Sequence, residues 1–227
     1  QIVERLDKIA EAQKLNDDLI QKSDELFQSL LHKELNPAGK DWEMKKLGEV
    51  ANFVNGRAFK PKDWSKRGLP IIRIQNLNNK DASFNFYDGD VEEKYLVHNG
   101  DLLFSWSGNI GTSFGAFVWE KEDAILNQHI FNVKITNINL DKDYFYFFIN
   151  KIITEIERKT HGITGLVHIT KGTLEKVKIL IPSIETQKQI VAKLSAVQEY
   201  KTQLLEQKAK LKELFDGVLH KAFSGGS

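Results

Sequence analysis

The sequence predicts an α+β fold in which a globular domain with a mixed sheet is inserted between two long helices that pair as an antiparallel coiled coil. Three observations predict it: the first 33 residues recur near the other end, both copies carry heptad spacing, and short β-branched runs fill the middle. We expect long helices at residues 1–38 and 184–223, a globular domain at 39–183, and a flexible tail at 224–227.

The two ends of the chain are related by a gap-free repeat with an offset of 188 residues (Gln189 minus Gln1). The motifs QIV, ELF and LHK recur in register in the two copies. Unrelated amphipathic helices share a leucine rhythm by chance, but they do not also share three such motifs. We therefore interpret the two copies as an internal duplication.

Each copy carries apolar residues at alternating steps of four and three, which is the spacing of a heptad seam. In the first copy Gln13, Asn16 and Ser23 also fall on the seam, where polar side chains cost stability and fix the register. The residues assigned to the helix-pair interface are Ile2, Leu6, Ile9, Ile20, Phe27, Leu30, Ile190, Leu194, Val197, Leu204, Leu211, Phe215 and Val218.

The helices are too long to bury their apolar stripes in a small globule, since 33 to 35 residues span about 50 Å. The first stops at "NPAG", and the second begins after "IPSIE" with Ser183 as its cap and Glu185 in its first turn. An inserted domain joins the end of the first to the start of the second, so the pair is antiparallel. The symmetry predicts a second globular domain at the far end, and we expect the chain to be part of a longer duplicated protein.

The middle of the chain contains both strand and helix patterns. The runs "LPIIRIQNL", "DLLFSWS", "GAFVWE" and "HIFNVKIT" are bounded by Gly, Asn and Asp and predict strands, with "VKILIP" as the last strand. The segment "DKDYFYFFINKIITEIERKT" has acids first, a basic pair last and apolar residues at helical spacing, which predicts a helix.

Composition excludes several classes of protein. The chain has no Cys, which removes disulfides, thiolate metal sites and a Cys nucleophile, and we expect a cytoplasmic location. No run of 18 apolar residues and no leader pattern predicts a membrane span or a signal peptide. The 32 basic and 31 acidic residues give a net charge of +1, so only the local distribution of charge can indicate nucleic-acid binding.

Four segments in this order, "WEMKKLGEVANFVNGRAF", "GDLLFSWSGNIG", "LNQHIFNV" and "ILIPSIETQKQIVAKL", resemble the specificity subunit of type I restriction–modification enzymes. In that family two target-recognition domains alternate with two long helical regions. The resemblance implies a central helix, the second recognition domain and the closing helix. The chain departs from the family at Pro182, Ser183, Thr186 and Gln187, where a double proline and Glu-Gln are usual, and it lacks the first recognition domain.

The resemblance implies a non-catalytic subunit that reads one half of a bipartite site in double-stranded DNA. Its helices would bind the methyltransferase subunit, which carries S-adenosylmethionine and flips the target adenine, and a restriction and translocation subunit would join later. We expect no cofactor or metal on this chain, with ATP and Mg confined to partner subunits. Two copies of the chain could associate through apolar flanks of the helices and place one recognition domain at each end.

The residues themselves also indicate a DNA-binding surface, most clearly between residues 55 and 75. This stretch has six basic residues and one acid, a net charge of +5, with Phe59 and Trp64 interleaved. Lysine and arginine neutralise phosphates, whereas Arg, Asn and Gln read base edges. The candidates here are Asn55, Arg57, Lys60, Lys62, Lys66, Arg67, Arg73, Gln75 and Asn76. Arg73, Gln75 and Asn76 fit base reading, although Arg73 and Gln75 also fit the solvated face of a strand, and a solvated loop is the less favoured alternative for the whole stretch.

Three further stretches are candidates for DNA contact, each with a plainer alternative. In "SWSGNIGTS" the candidates are Ser105, Ser107 and Asn109, and a hairpin turn is equally consistent with the pattern. Asn127 and Gln128 suit adenine, but they also suit a strand cap. In "HGITGLVHITKG" the candidates are Thr164, His168 and Lys171, and the spacing of the two histidines favours surface imidazoles over a metal site.

Two other functions compete with DNA recognition. The cluster of Asp88, Asp90, Glu92, Glu93 and Lys94 resembles the acid–acid–Lys pattern of nucleases that hold a divalent cation, which gives the alternative of a cation-dependent DNA endonuclease. It lies in a turn-like stretch where acids are usually solvated. The second alternative is a coiled-coil scaffold without a DNA role.

Overall fold

The structure, a computed structural model, describes residues 2–36, 38–79, 81–109, 112–159 and 167–224. The chain forms two compact units. The helical unit comprises Gln1–Asn36 and Gln189–Ser227, and the globular unit comprises Pro37–Lys188. Within the described ranges, no helix is both long enough and apolar enough to cross a membrane.

The regular elements follow the order that the sequence patterns predict. In the described part of the chain the helices are α1 (Ile2–Glu34), α2 (Leu47–Val50), α3 (Ile74–Asn78), α4 (Lys142–Lys159), α5 (Lys171–Glu175) and α6 (Ile184–Ser224). The strands are β1 (Glu43–Lys46), β2 (Ala51–Asn55), β3 (Leu69–Ile72), β4 (Asn85–Tyr87), β5 (Leu96–Val97), β6 (Leu102–Ser105), β7 (Ser107–Gly108), β8 (Gly115–Val118), β9 (Ala124–Leu126), β10 (Ile130–Ile135), β11 (Val167–His168) and β12 (Lys178–Ile181). Each segment predicted as a strand contains one, and the predicted middle helix is α4.

Helices α1 and α6 pack against each other in opposite directions. The buried Asn16 Nδ2 donates to the Leu204 carbonyl at 3.0 Å. Ion pairs on the two helices join Glu34 to Lys193 at 3.1 Å, Asp24 to Lys201 at 2.6 Å and Asp17 to Lys208 at 2.8 Å. Residues later in α6 pair with residues earlier in α1, so the two helices pack antiparallel.

The predicted seam coincides with the less exposed face of each helix. Leu194 is fully buried, and the polar seam residues Asn16 and Ser23 are also buried. Ile2, at the first turn of α1, is an exception and is 49% exposed. Towards the end of α1 the buried position is Leu31 rather than the predicted Leu30, which is only partly buried. A straight helix drifts by about 20° per heptad against a 3.5-residue repeat, which accounts for a shift of this kind.

The start of α6 is fixed by side chains that satisfy free backbone groups. The Thr186 N–H donates to the Ser183 Oγ at 3.3 Å, so Ser183 caps the helix as the sequence predicts. Gln187 is fully buried, and its amide donates to the carbonyls of Asn139 and Pro182, both at 2.8 Å. Its Oε1 accepts the Asp141 N–H at 2.8 Å, so one glutamine ties the helix start to the loop before α4.

The globular unit contains two four-stranded sheets and two short strand pairs. One sheet has the order β2-β10-β6-β8 and is antiparallel throughout. The other has the order β4-β3-β9-β5 and is mixed, because β3 and β9 run parallel. The pairs are β1 with β12 and β7 with β11. The mixed-sheet α+β architecture is therefore confirmed.

The core is built from the apolar faces of both sheets. One buried cluster consists of Ile72, Val97, Leu103, Trp119, Ala124, Leu126 and Ile130. Helix α4 packs on β8, and its fully buried Tyr144 donates to the Leu180 carbonyl at 2.7 Å. Burial raises the pKa of the Tyr144 hydroxyl, so the group stays protonated and serves as a structural donor.

The run "LPIIRIQNL" departs from the prediction of a single strand. β3 ends at Ile72, and the chain then forms the short helix α3. The cause is Asn76, whose Oδ1 accepts the Arg73 N–H at 3.0 Å and so closes the first turn. The interpretation of Arg73 and Gln75 as one solvated strand face is therefore wrong.

Candidate nucleic-acid interface

The basic segment, residues 55–75, is anchored to the sheets at several points. The Arg57 N–H donates to the Leu126 carbonyl at 2.8 Å, and the Ser65 N–H donates to the Phe86 carbonyl at 2.9 Å. Gly56 passes so close to the next segment that an added Cβ would lie 2.2 Å from the Asn127 carbonyl oxygen. Only glycine allows this approach, and the segment therefore begins directly beside the candidate Asn127.

Two arginines of the segment are held by the side chains of β4. The Arg57 Nη1 donates to the Tyr87 Oη at 3.0 Å, and its guanidinium lies 4.8 Å from the Tyr87 ring centroid and 5.2 Å from that of Phe59. The Arg73 Nη1 donates to the Asn85 Oδ1 at 3.3 Å. We call the set of Arg57, Phe59, Trp64, Arg73, Asn85 and Tyr87 the β4 stripe.

The contacts within the β4 stripe orient its two arginines without neutralising their charge. The Arg73 guanidinium lies 5.6 Å from the Trp64 ring centroid, a cation–π distance. All partners of Arg57 and Arg73 among the described residues are neutral, and neither forms an ion pair there. The stripe therefore presents two oriented positive charges.

The lysines of the basic segment differ from the two arginines. Lys60, Lys62 and Lys66 are exposed and have no ion pair within the described ranges. Arg67 is also exposed, and its nearest carboxylate is Asp88 at 3.9 Å. These four exposed cationic side chains form a fringe around the stripe.

A second part of the interface is organised around the partly buried Trp106. Its ring centroid lies 5.2 Å from that of His129, 5.8 Å from that of His168 and 6.0 Å from that of Phe131. The pairing of β7 with β11 places His168 opposite Ser107. Three stretches that are distant in sequence, and that we singled out separately, are therefore neighbours.

Two ring nitrogens in this cluster have unused hydrogen-bonding capacity. The Trp106 Nε1 and the His129 Nδ1 are buried and have no partner among the described residues. Next to them, the Gln128 amide lies 3.1 Å from the His129 Nε2 and is exposed. Asn127 forms an isolated bridge with Arg57, so the Trp106 cluster adjoins the basic segment.

Three predicted site residues face the interior instead of the surface. Asn76 is 5% exposed, and its amide donates to the carbonyls of Ala82 and Ser83. Ser105 is fully buried and donates to the Ser107 carbonyl, and Ser107 is itself buried. In this structure these side chains support the fold and are not available at the surface.

The remaining candidates lie at the surface or outside the described residues. Asn55, Gln75, Asn109 and His168 are exposed. Lys171 lies in α5, where it pairs with Glu175 at 3.7 Å. Thr164 and the neighbouring His161 lie outside the described residues.

The acidic cluster does not form a cation site. Asp88, Asp90, Glu92 and Glu93 are all exposed. Glu92 pairs with Lys94 at 2.6 Å, and this hydrogen bond is the main factor that raises the pKa of Lys94. Across the described part of the chain, no group of three His, Asp or Glu side chains is placed to hold a metal.

Sequence reasoning missed Asn85, Tyr87 and Trp106 as members of the candidate interface. Asn85 and Tyr87 alternate with Phe84 and Phe86 in "SFNFYD", which indicates a strand with one polar face. That pattern could have identified the face, but not the arginines that it holds. Trp106 lies within the candidate stretch "SWSGNIGTS", whose small polar residues, and not its tryptophan, indicated DNA contact.

Residues 39–213 match the family model described as "Type I restriction modification DNA specificity domain". Among curated proteins, the EcoBI specificity subunit of Escherichia coli is 30% identical over 190 residues, which cover 81% of this chain and 39% of that protein. The MjaVIII specificity subunit of Methanocaldococcus jannaschii is 25% identical over 189 residues, covering 82% and 43%. The chain thus spans about two fifths of the length of these relatives.

Solved structures share the fold. The HsdS subunit from Thermoanaerobacter tengcongensis aligns with a TM-score of 0.68 and 20% identity, over 100% of this chain and 57% of that one. A chain from a study of complex assembly and conformational transition of the type I R-M system aligns with a TM-score of 0.70 and 21% identity, over 98% and 57%. The fold and the family match agree: this chain belongs to the type I restriction modification DNA specificity domain family.

Proposed function

We propose that this chain is a non-catalytic DNA-recognition subunit of a type I restriction–modification system. Its globular unit reads one half of a bipartite site in double-stranded DNA, and its helices dock the methyltransferase subunit. One observation carries the proposal: the segment matched by the DNA specificity family contains a surface of oriented, uncompensated arginines beside exposed lysines.

The chemistry of this surface suits duplex DNA. Exposed lysines release counterions when they neutralise phosphates, which gives affinity without sequence preference. Arginine, asparagine and glutamine side chains read the donor and acceptor pattern of base edges in the major groove. The β4 stripe, Asn109, Asn127 and Gln128 provide these groups on adjoining segments of the globular unit.

Partner subunits supply the catalytic chemistry in this proposal. The relatives are named specificity subunits of type I restriction enzymes, and one solved relative comes from a study of complex assembly. The methyltransferase subunit brings S-adenosylmethionine and flips the target adenine, and the restriction and translocation subunit brings ATP and Mg. This chain contributes the sequence preference and the docking surface.

Two copies of this chain form a homodimer in our proposal. Apolar side chains remain exposed on the helices, including Val3 at 70%, Leu26 at 51% and Leu205 at 48%. A closed twofold pairing through these faces gives two recognition domains, and the DNA site becomes an inverted repeat of one half-site. Sedimentation of the chain at rising concentration tests this, and a monomer at every concentration would exclude it.

DNA binding itself is tested by titrating a pool of random duplexes with the purified chain, alone and with its methyltransferase subunit, at several salt concentrations. We expect weak binding by the chain alone, with affinity that falls steeply as salt rises. The complex should bind more tightly and prefer particular sequences. No binding in low salt under either condition would exclude DNA recognition and favour a scaffold role.

A further inference from the structure

The cations of the basic segment fall into two physical classes. Lys60, Lys62 and Lys66 are exposed, with no ion pair among the described residues. Arg57 and Arg73 are partly buried, and each has one hydrogen bond and at least one aromatic contact. An exposed ammonium group can bind a phosphate in many positions, whereas a guanidinium held in one orientation binds only acceptors in a matching geometry.

Both fixed guanidiniums depend on one strand. Asn85 and Tyr87 are two residues apart on β4, so their side chains leave the strand on the same face. Each accepts one hydrogen bond from one arginine, at 3.3 Å and 3.0 Å. β4 therefore acts as a template for the orientation of Arg57 and Arg73.

We propose that Asn85 and Tyr87 are positioning residues that orient Arg57 and Arg73 to read guanine bases, while the exposed lysines bind phosphates. This inference rests on the proposed function, because it specifies how the same surface discriminates sequences. The structural support for this inference is that Asn85 and Tyr87 are both neutral.

The neutral partners leave the arginines able to bind a base. A guanidinium has five N–H donors, and the bond to Tyr87 or Asn85 uses one of them. A carboxylate partner would have cancelled the charge, but a hydroxyl, an amide and aromatic rings leave it intact. Guanine presents O6 and N7 as two acceptors in the major groove, which match the remaining fork of an arginine.

Orientation before binding also favours base reading. A side chain that is already fixed loses less rotamer entropy when it meets its target. The two anchors are about 7 Å apart along β4, which is about the rise of two base pairs. This spacing is consistent with each arginine reading a different base pair.

The test uses the full chain with its methyltransferase subunit and a library of random duplexes, from which bound sequences are selected and read. Variants Arg57→Lys and Arg73→Lys keep the charge but lose the fork, and Tyr87→Phe keeps the ring but loses the hydroxyl. We expect Arg57→Lys to lower the preference for guanine at one base pair about tenfold. Tyr87→Phe should lower it at the same base pair about threefold, with no change in the salt slope.

The matched control is the double variant of Lys60→Ala and Lys62→Ala. It should keep the wild-type motif, bind all duplexes more weakly, and lower the salt slope by about 0.9 for each lost phosphate contact. Arg73→Lys should act at a different base pair from Arg57→Lys.

Each outcome decides one point. If both arginine variants select the wild-type motif, the arginines do not read bases and the inference is overturned. If Arg57→Lys changes the motif but a stably folded Tyr87→Phe does not, the positioning role of Tyr87 is wrong. Melting temperatures identify any variant that is misfolded. If Tyr87→Phe is misfolded, Arg57→Lys and Arg73→Lys decide whether the arginines read bases. A wild-type pool with no motif contradicts the proposed function itself, and not only this refinement.

Discussion

Residue type alone did not decide which polar side chains are available to a ligand. Asn76 and Arg73 are three residues apart in the same basic segment, and both were assigned to base reading. The Asn76 side chain accepts the Arg73 N–H and donates to the carbonyls of Ala82 and Ser83, whereas the Arg73 guanidinium remains partly exposed. The difference lies in the backbone turn that Asn76 closes, which no count of charges reveals.

Asp101 links stability to pH through a well-defined set of donors. Partial burial acts to raise the pKa of Asp101, but the His98 N–H, the Lys134 ammonium group and the Asn132 amide together lower it below 3.8. A carboxyl with a lowered pKa stabilises the folded state above its unfolded pKa, and this stabilisation is lost as the pH falls through the folded value.

We therefore expect Asp101→Asn to melt at a lower temperature than the wild type near neutral pH, with a difference that shrinks as the pH falls below about 4. Thermal melts from about pH 6 to about pH 3 measure it. Asp81→Asn, at an exposed carboxylate, is the control for the substitution. A difference that stays constant over this range would show that the Asp101 charge does not contribute to folding stability.

At the scale of elements, Asn16 places an unsatisfied polar atom in the helix pair. Its amide nitrogen donates to the Leu204 carbonyl, but its Oδ1 is buried without a partner in the described part of the chain. A buried unpaired acceptor costs about 1–3 kcal/mol, and leucine would remove that cost and add apolar contact. We expect Asn16→Leu to raise the free energy of unfolding by about 1–2 kcal/mol.

Chemical denaturation of Asn16→Leu, with the exposed Lys14→Leu as control, measures this gain. The control adds a leucine to α1 without filling the seam, so its stability should change little. A loss of stability in Asn16→Leu would show that the hydrogen bond to the Leu204 carbonyl outweighs the unsatisfied oxygen.

Leu194 tests the role of the seam in docking. Because this residue is fully buried, Leu194→Asp places a carboxylate in the helix pair and should cost several kcal/mol, about 3–5, in the stability of the helical unit. Pull-down with the methyltransferase subunit should show loss of the complex. Gln203→Asp, at an exposed polar position of the same helix, is the matched control and should be nearly neutral for folding. Normal assembly of Leu194→Asp would show that the seam is not needed for docking.

The long helices and five of the twelve strands in the described part of the chain could be predicted because their signals are local. A heptad spacing identifies α1 and α6, and short apolar or β-branched runs identify β6, β8 and β10. The contacts of Trp106 could not be predicted, because each depends on strand pairing. The contact with His168 depends on the pairing of β7 with β11 across about 60 residues, and the contact with His129 depends on the pairing of β6 with β10. The same holds for Arg57 and Tyr87, which are 30 positions apart.

For the molecule as a whole, the proposed recognition and docking functions belong to different units. The globular unit contains the basic segment and the Trp106 cluster, and the helical unit contains the seam and the exposed apolar flanks. Variants in one unit should therefore leave the function of the other largely intact. Leu194→Asp should retain part of the DNA binding of the free chain, and Arg57→Lys should still assemble with the methyltransferase.

In the proposed function, this chain gives the methyltransferase subunit its choice of sequence. The most direct measurement is a map of methylated adenines in the genome of a host that expresses the methyltransferase subunit, with and without this chain. We expect one defined motif to be methylated only when the chain is present. Methylation of the same motif without the chain, or methylation with no motif when both subunits are present, would contradict the claim.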